Sequence, residues 1–195
     1  MDIYTVAFFG HRYIDNPFRI EDRLEEEIRR LLSEHEYVDF LVGRDGEFDQ
    51  FASSAVLRVR KQYRDDNSSL VLVLPYARAE YLNNEESYHD YYSDVEISYA
   101  ASKAHPKAAI QIRNREMVDR ADLILCCIER EQGGAWQTIQ YAIIYTILDG
   151  LKNRPMEYDD QMVRQILECV TVDSKEQITV IFIGGLKIKQ SLLDC

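Results

Sequence analysis

A chain of 195 residues, 46% hydrophobic and 29% charged, is long enough for a sizeable core and has the composition of a globular protein. Its formal net charge of −11 makes nucleic acid an unlikely partner on the mean, because phosphate binding relies on a basic surface that displaces counterions. No apolar run reaches the roughly 18 residues of a membrane span, and the opening MDIYTVAFFGHR lacks a signal-peptide layout, so no membrane partner is expected. Four cysteines without a disulfide-framework pattern suit a reducing compartment, so a cytoplasmic chain is expected.

IYTVAFFG (3–10) is a continuous apolar run ending at Gly10, the pattern of a strand buried on both faces. Asp15 or Asn16 is a candidate N-cap, with Pro17 in the first turn of a helix carrying Ile20, Leu24, Ile28, Leu31 and Leu32. VDFLVG (38–43) repeats the strand-then-glycine pattern. Phe48, Phe51, Ala52, Ala55, Val56, Val59 and Tyr63 mark the inner stripe of a second helix. SLVLVLP (69–75) is a third strand.

Residues 76–106 hold six tyrosines and no sustained period, so an irregular insertion is expected, either a binding loop or a packed segment with short helices. A helix over 110–121 and a strand DLILCCI (122–128) follow. Cys126 and Cys127 lie inside that apolar run, where a reduced cysteine acts as a small hydrophobe. A long apolar helix opens at Gly133-Gly134 and closes near Gly150. A helix over 159–170 and a last strand over 177–185 complete the series. Strands alternating with helices predict an α/β fold, a Rossmann-like three-layer sandwich with a mostly parallel central sheet. One domain over 1–195 is expected, with a C-terminal elaboration over 151–195.

In such sheets ligands bind beyond the carboxyl ends of the strands. The first strand delivers Gly10, His11 and Arg12 there. The second delivers Gly43, Arg44, Asp45, Gly46, Glu47 and Asp49, and the fourth Glu129 and Gly133-Gly134. Glycines let backbone N–H groups approach a ligand, and helix N-termini favour anions. Arg113 and Arg115, just before the fourth strand, add guanidinium forks suited to phosphate. Four cysteines without CxxC or Cys/His ligand spacing leave no metal site. There is no GxxxxGK[ST], GxSxG or HExxH, and no cofactor is implied.

FFGHR, VGRDGEFDQFASSAVLRVRKQY and RNREMVDRADLILCCIEREQGGAWQTIQYA together resemble the SLOG superfamily, the Rossmann-like group of the lonely-guy phosphoribohydrolases and DNA-processing protein A. The likeness is to its small bacterial branch with TGHR-like and RNRxMV motifs, and spans about residues 4–142. It implies a nucleotide-binding sheet whose phosphate-facing positions are Gly10, His11, Arg12, Gly43, Gly46, Arg113, Asn114, Gly133 and Gly134, with Thr138 adding a hydroxyl. The sequence departs from the lonely-guy PGGxGTxxE turn. Gln140 stands where the catalytic glutamate falls and Trp136 where the third glycine does.

Three functions remain open. The first is binding or sensing of a small nucleotide-derived ligand, such as an ADP-ribose/NAD-like molecule or a cyclic nucleotide. The second is hydrolysis of an N-glycosidic bond, with Glu129, Glu47 or Asp49 in place of the missing glutamate. The third is a homodimeric interaction protein, since Ile139 to Leu148 is apolar on nearly every side.

Overall fold

A computed structural model of the chain describes residues 2–15, 18–151, 167–174, 177–182 and 187–191. They divide into two compact units, Met1–Trp136 and Gln137–Cys195. The first unit contains β1 (Ile3–Gly10), α1 (Phe18–Glu34), β2 (Tyr37–Val42), α2 (Glu47–Gln62) and β3 (Ser68–Leu74). After these come α3 (Ala79–Asn83), α4 (Glu85–Tyr91), β4 (Asp94–Ile97), α5 (Tyr99–Ser102), α6 (Pro106–Arg120) and β5 (Leu123–Cys127). The five strands form one sheet in the order β4-β3-β2-β1-β5, and every neighbouring pair is parallel.

The apolar strands follow from burial on both faces. On one face Val6 and Phe8, Val38, Phe40 and Val42, and Leu70, Leu72 and Leu74 join the core with the inner stripes of α1 and α2. The residues between them, Ala7, Phe9, Leu41, Val71 and Val73, are buried on the other face. The chain steps from β1 to β4 in one direction and returns through α6 to β5 on the far side of β1. Parallel crossovers are right-handed, so reversing direction puts α6 on the opposite face from α1 and α2. The expected three layers result.

The fifth strand of the sheet is not the one the sequence suggested. The tyrosine-rich segment supplies it, as the short edge strand β4 between helices of four to seven residues. Tyr81, Tyr88 and Tyr92 are buried in the core beside α2, which is why the segment shows no clean period. β5 lies at the other edge, and there Cys126 is exposed and Cys127 half-buried rather than enclosed.

α7 (Gly133–Leu151) begins in the first unit and continues in the second, with Gly150 inside its last turn. The second unit also holds an antiparallel sheet of β6 (Leu167–Ser174), β7 (Gln177–Phe182) and β8 (Lys187–Ser191). The helix expected over 159–170 therefore fails at 167–170, which is strand; 159–166 lie outside the described residues. Asn16 and Pro17, expected at the start of α1, and 183–185 of the expected last strand also lie outside them. Among the described residues, no helix is long and apolar enough to cross a membrane.

Gly10 ends β1 because nothing larger fits. A Cβ there would approach the Cβ of Phe48, a wholly buried residue of α2, to 2.5 Å. Gly10→Ala is expected to lower stability by about 1–3 kcal/mol, the usual cost of overpacking, read as a reduced urea midpoint with unchanged m-value.

Candidate functional site

Strand order reverses between β1 and β5, and three turns meet at that end of the sheet. The turn after β1 is held by both of the others. His11 Nε2 contacts the Arg130 main chain, 3.2 Å from its N–H and 3.1 Å from its carbonyl. The N–H of Glu47 donates to the Arg12 carbonyl at 2.9 Å, and Arg12 Nε donates to the Asp45 carbonyl at 3.2 Å. A Cβ on Gly46 would meet Arg12 Cα at 3.0 Å, so this glycine lets two backbones touch.

Two expected carboxylates hold this turn in place. The Glu47 side chain accepts from the Ile14 N–H at 2.9 Å, and both Glu129 oxygens accept from the Asp15 N–H at 3.3 Å. Neither lines the cleft below.

That cleft has a volume of about 430 Å³. It brings together Gly10, His11, Arg12 and Gly46 with Arg113, Asn114, Gly133 and Gly134, and among the acids expected as catalytic stand-ins only Asp49. Gly133 has a φ of 85°, which favours glycine, and nothing lies within 4 Å of where its Cβ would be. The first turn of α7 thus opens onto the cleft with the positive end of its dipole. Sequence reasoning missed Lys107, which lines the cleft from the first turn of α6. Its place two residues after the helix-capping His105 was the available signal.

Arg113 is not a free anion anchor. It is 4% exposed and its Nη1 donates to the Val73 carbonyl at 3.1 Å. Its Nη2 reaches Asp45 Oδ2 at 3.4 Å, while Arg78 holds the other Asp45 oxygen at 2.7 Å. Among the described residues Arg113 Nε has no hydrogen-bond partner. Gly43 is absent from the cleft wall but makes this arrangement possible. A Cβ there would sit 2.6 Å from Arg113 Nη1 and 2.8 Å from Asp49 Oδ2.

Burial pushes the Asp49 carboxyl above the ordinary aspartate range, against the opposing pull of Arg113 and of the Asp45 and Gly46 N–H groups that it accepts. The same burial lowers Arg113 from the usual arginine value.

Arg44 turns elsewhere. It pairs with Glu80 at 3.1 Å and lies 4.3 Å over the Tyr88 ring, in a separate cleft of about 670 Å³. Arg115 is half-buried on α6 and does not line the 430 Å³ cleft. Thr138 is a buried residue of α7 within the second unit.

No family model matches the chain, and no curated protein sequence matches it. Among solved structures it is similar to the X-ray structure of DNA processing protein A from Streptococcus pneumoniae, with a TM-score of 0.52 and 17% identity over 84% of this chain. The fold is the Rossmann-like one that the SLOG resemblance implies. At that identity the likeness is one of fold, and at that level the resemblance is borne out. The match covers 54% of the pneumococcal protein, so this chain spans about half its length.

The comparison also corrects one expectation. Nucleic acid was set aside as an unlikely partner on net charge, yet a solved structure of similar fold is, by its name, a DNA-processing protein. The physical error is one of averaging. A net charge of −11 over 195 residues does not set the local field in a cleft that presents Arg12 and Lys107.

Removing Arg113 leaves Asp45 and Asp49 without their buried cation. Arg113→Ala is expected to destabilise the chain by about 3–5 kcal/mol in urea unfolding, the cost of breaking a buried charge pair. Asp49 carries a pH signature of opposite sign to an ordinary paired carboxylate. Its proton is held more tightly folded than unfolded, so ionisation costs stability. That cost is absent below the ordinary aspartate pKa of about 4 and complete above the raised folded value. Unfolding measured across this range should show the wild type losing stability relative to Asp49→Asn as pH rises. A difference that is flat, or that favours the wild type at higher pH, would contradict the assignment.

Proposed function

We propose that the cleft at the β1–β5 switch binds a small nucleotide or nucleotide-derived ligand by its phosphate. The observation that carries this reading is the open first turn of α7 at Gly133, facing the same cleft as Arg12 and Lys107. A helix N-terminus, a left-handed glycine with space above it and two cations line one cleft, a combination that favours an anion. The volume of about 430 Å³ falls in the range of small-molecule sites and suits a nucleotide.

Phosphate recognition rests on Arg12 and Lys107 rather than on Arg113, whose charge is taken up by Asp45 and Asp49. Among the described residues Arg12 makes no ion pair, and its one side-chain hydrogen bond is to the Asp45 carbonyl through Nε. Its terminal nitrogens remain for a ligand.

Calorimetric titration of the purified chain with AMP, ADP-ribose, NAD, a cyclic dinucleotide and a short oligonucleotide tests the proposal. At least one should bind, and Arg12→Ala should weaken it about tenfold or more, the range of one charge-assisted hydrogen bond. Absence of binding to every ligand in the series would overturn the reading.

A further inference from the structure

This inference rests on the nucleotide reading above and extends it. A second cleft of about 340 Å³ adjoins the first across the turn after β1, since His11, Arg12 and Gly133 line both. Its remaining walls are Tyr13, Arg130 and Gln132. The chemistry differs from that of the first cleft, where Asp45 and Asp49 oppose the cations. Here, among the described residues, no carboxylate lines the wall.

Arg130 meets Asp15 at 3.8 Å, but the Asp15 side chain is 81% exposed and such surface pairs are readily exchanged for a better anion. Tyr13 is 65% exposed. Among the described residues its ring touches no other ring and lies under no cation. An exposed tyrosine in a turn is unremarkable by itself. Set in one cleft with Arg12 and Arg130, next to the proposed phosphate site, it makes a specific combination. An aromatic face stacks a base of any identity, and flanking cations follow the backbone that joins one nucleoside to the next.

We infer that the ligand extends beyond one nucleotide, its second nucleoside stacking on Tyr13 and its linking phosphate held between Arg12 and Arg130. The shared chemistry is two nucleosides joined by a phosphodiester, which a free dinucleotide or a strand of nucleic acid can supply. The His11 ring, held against the Arg130 main chain, couples the two turns, so both subsites are present before the ligand arrives.

Three probes with one base, AMP, the dinucleotide pApA and a short oligoadenylate, separate the alternatives when titrated into the full chain and into Tyr13→Ala and Arg130→Ala. The wild type should bind pApA about tenfold or more tightly than AMP, the gain expected of one stacked base. Tyr13→Ala should bring pApA back to the affinity of AMP while AMP itself is unchanged, and Arg130→Ala should reduce the gain. An oligoadenylate that binds more tightly than pApA, with affinity falling steeply in salt, supports a strand; equal affinity supports a free dinucleotide. If pApA binds no more tightly than AMP, or its gain survives in both variants, the inference is overturned while the nucleotide reading stands. If none of the three probes binds, this inference is overturned; the nucleotide reading falls only if ADP-ribose, NAD and the cyclic dinucleotide fail as well.

Discussion

A buried cation organises this end of the sheet. Arg113 comes from α6, the helix that returns the chain across the sheet, and ends among the Val73 carbonyl, Asp45 and the main chain at Gly43. Taking a guanidinium out of water is expensive unless its donors are met, so the surrounding geometry has little freedom. Gly43 must lack a side chain, Asp45 must reach inward, and Asp49 must accept the N–H groups of the same loop. The loop before α2 takes its shape from these requirements, and the turn after β1 rests against that loop through Gly46 and Glu47.

The cost falls on the apparent charge of the site. Arginines near the strand ends suggest a strongly positive cradle, but Arg113 is neutralised by acids and Arg44 is stacked on Tyr88 and paired with Glu80. What remains for an anion is Arg12 and Lys107 with the first turn of α7, and beyond the turn Arg12 again with Arg130. A modest local field in an acidic chain suits recognition by a few directed hydrogen bonds rather than by bulk attraction.

Much of this was legible along the chain, and the reasons are local. Val6, Phe8 and Leu72 belong to apolar runs because a central parallel strand is buried on both faces. Gly10 and Gly43 could be placed at turns since each closes an apolar strand, and Gly133 since it opens the long apolar helix. β4 was hidden because four residues at a sheet edge, with Asp94 and Ile97 exposed, have no room for a period. The burial of Arg113 did have a signal: it sits between Ala109 and Met117 at four-residue steps, on the face of α6 that turns inward.

The sequence by itself determined the layer architecture, the apolar strands of a mostly parallel sheet and the set of turns from which a site could be built. Those follow from periodicity and from glycine, which act over a few residues. Only the tertiary structure decided which charges stay available. Whether Glu47 and Glu129 bind a ligand or brace a turn, and whether Arg113 faces solvent or Asp45, depends on neighbours more than 30 residues away along the chain. The energy of a charge is set by what surrounds it in space, and linear spacing does not carry that information.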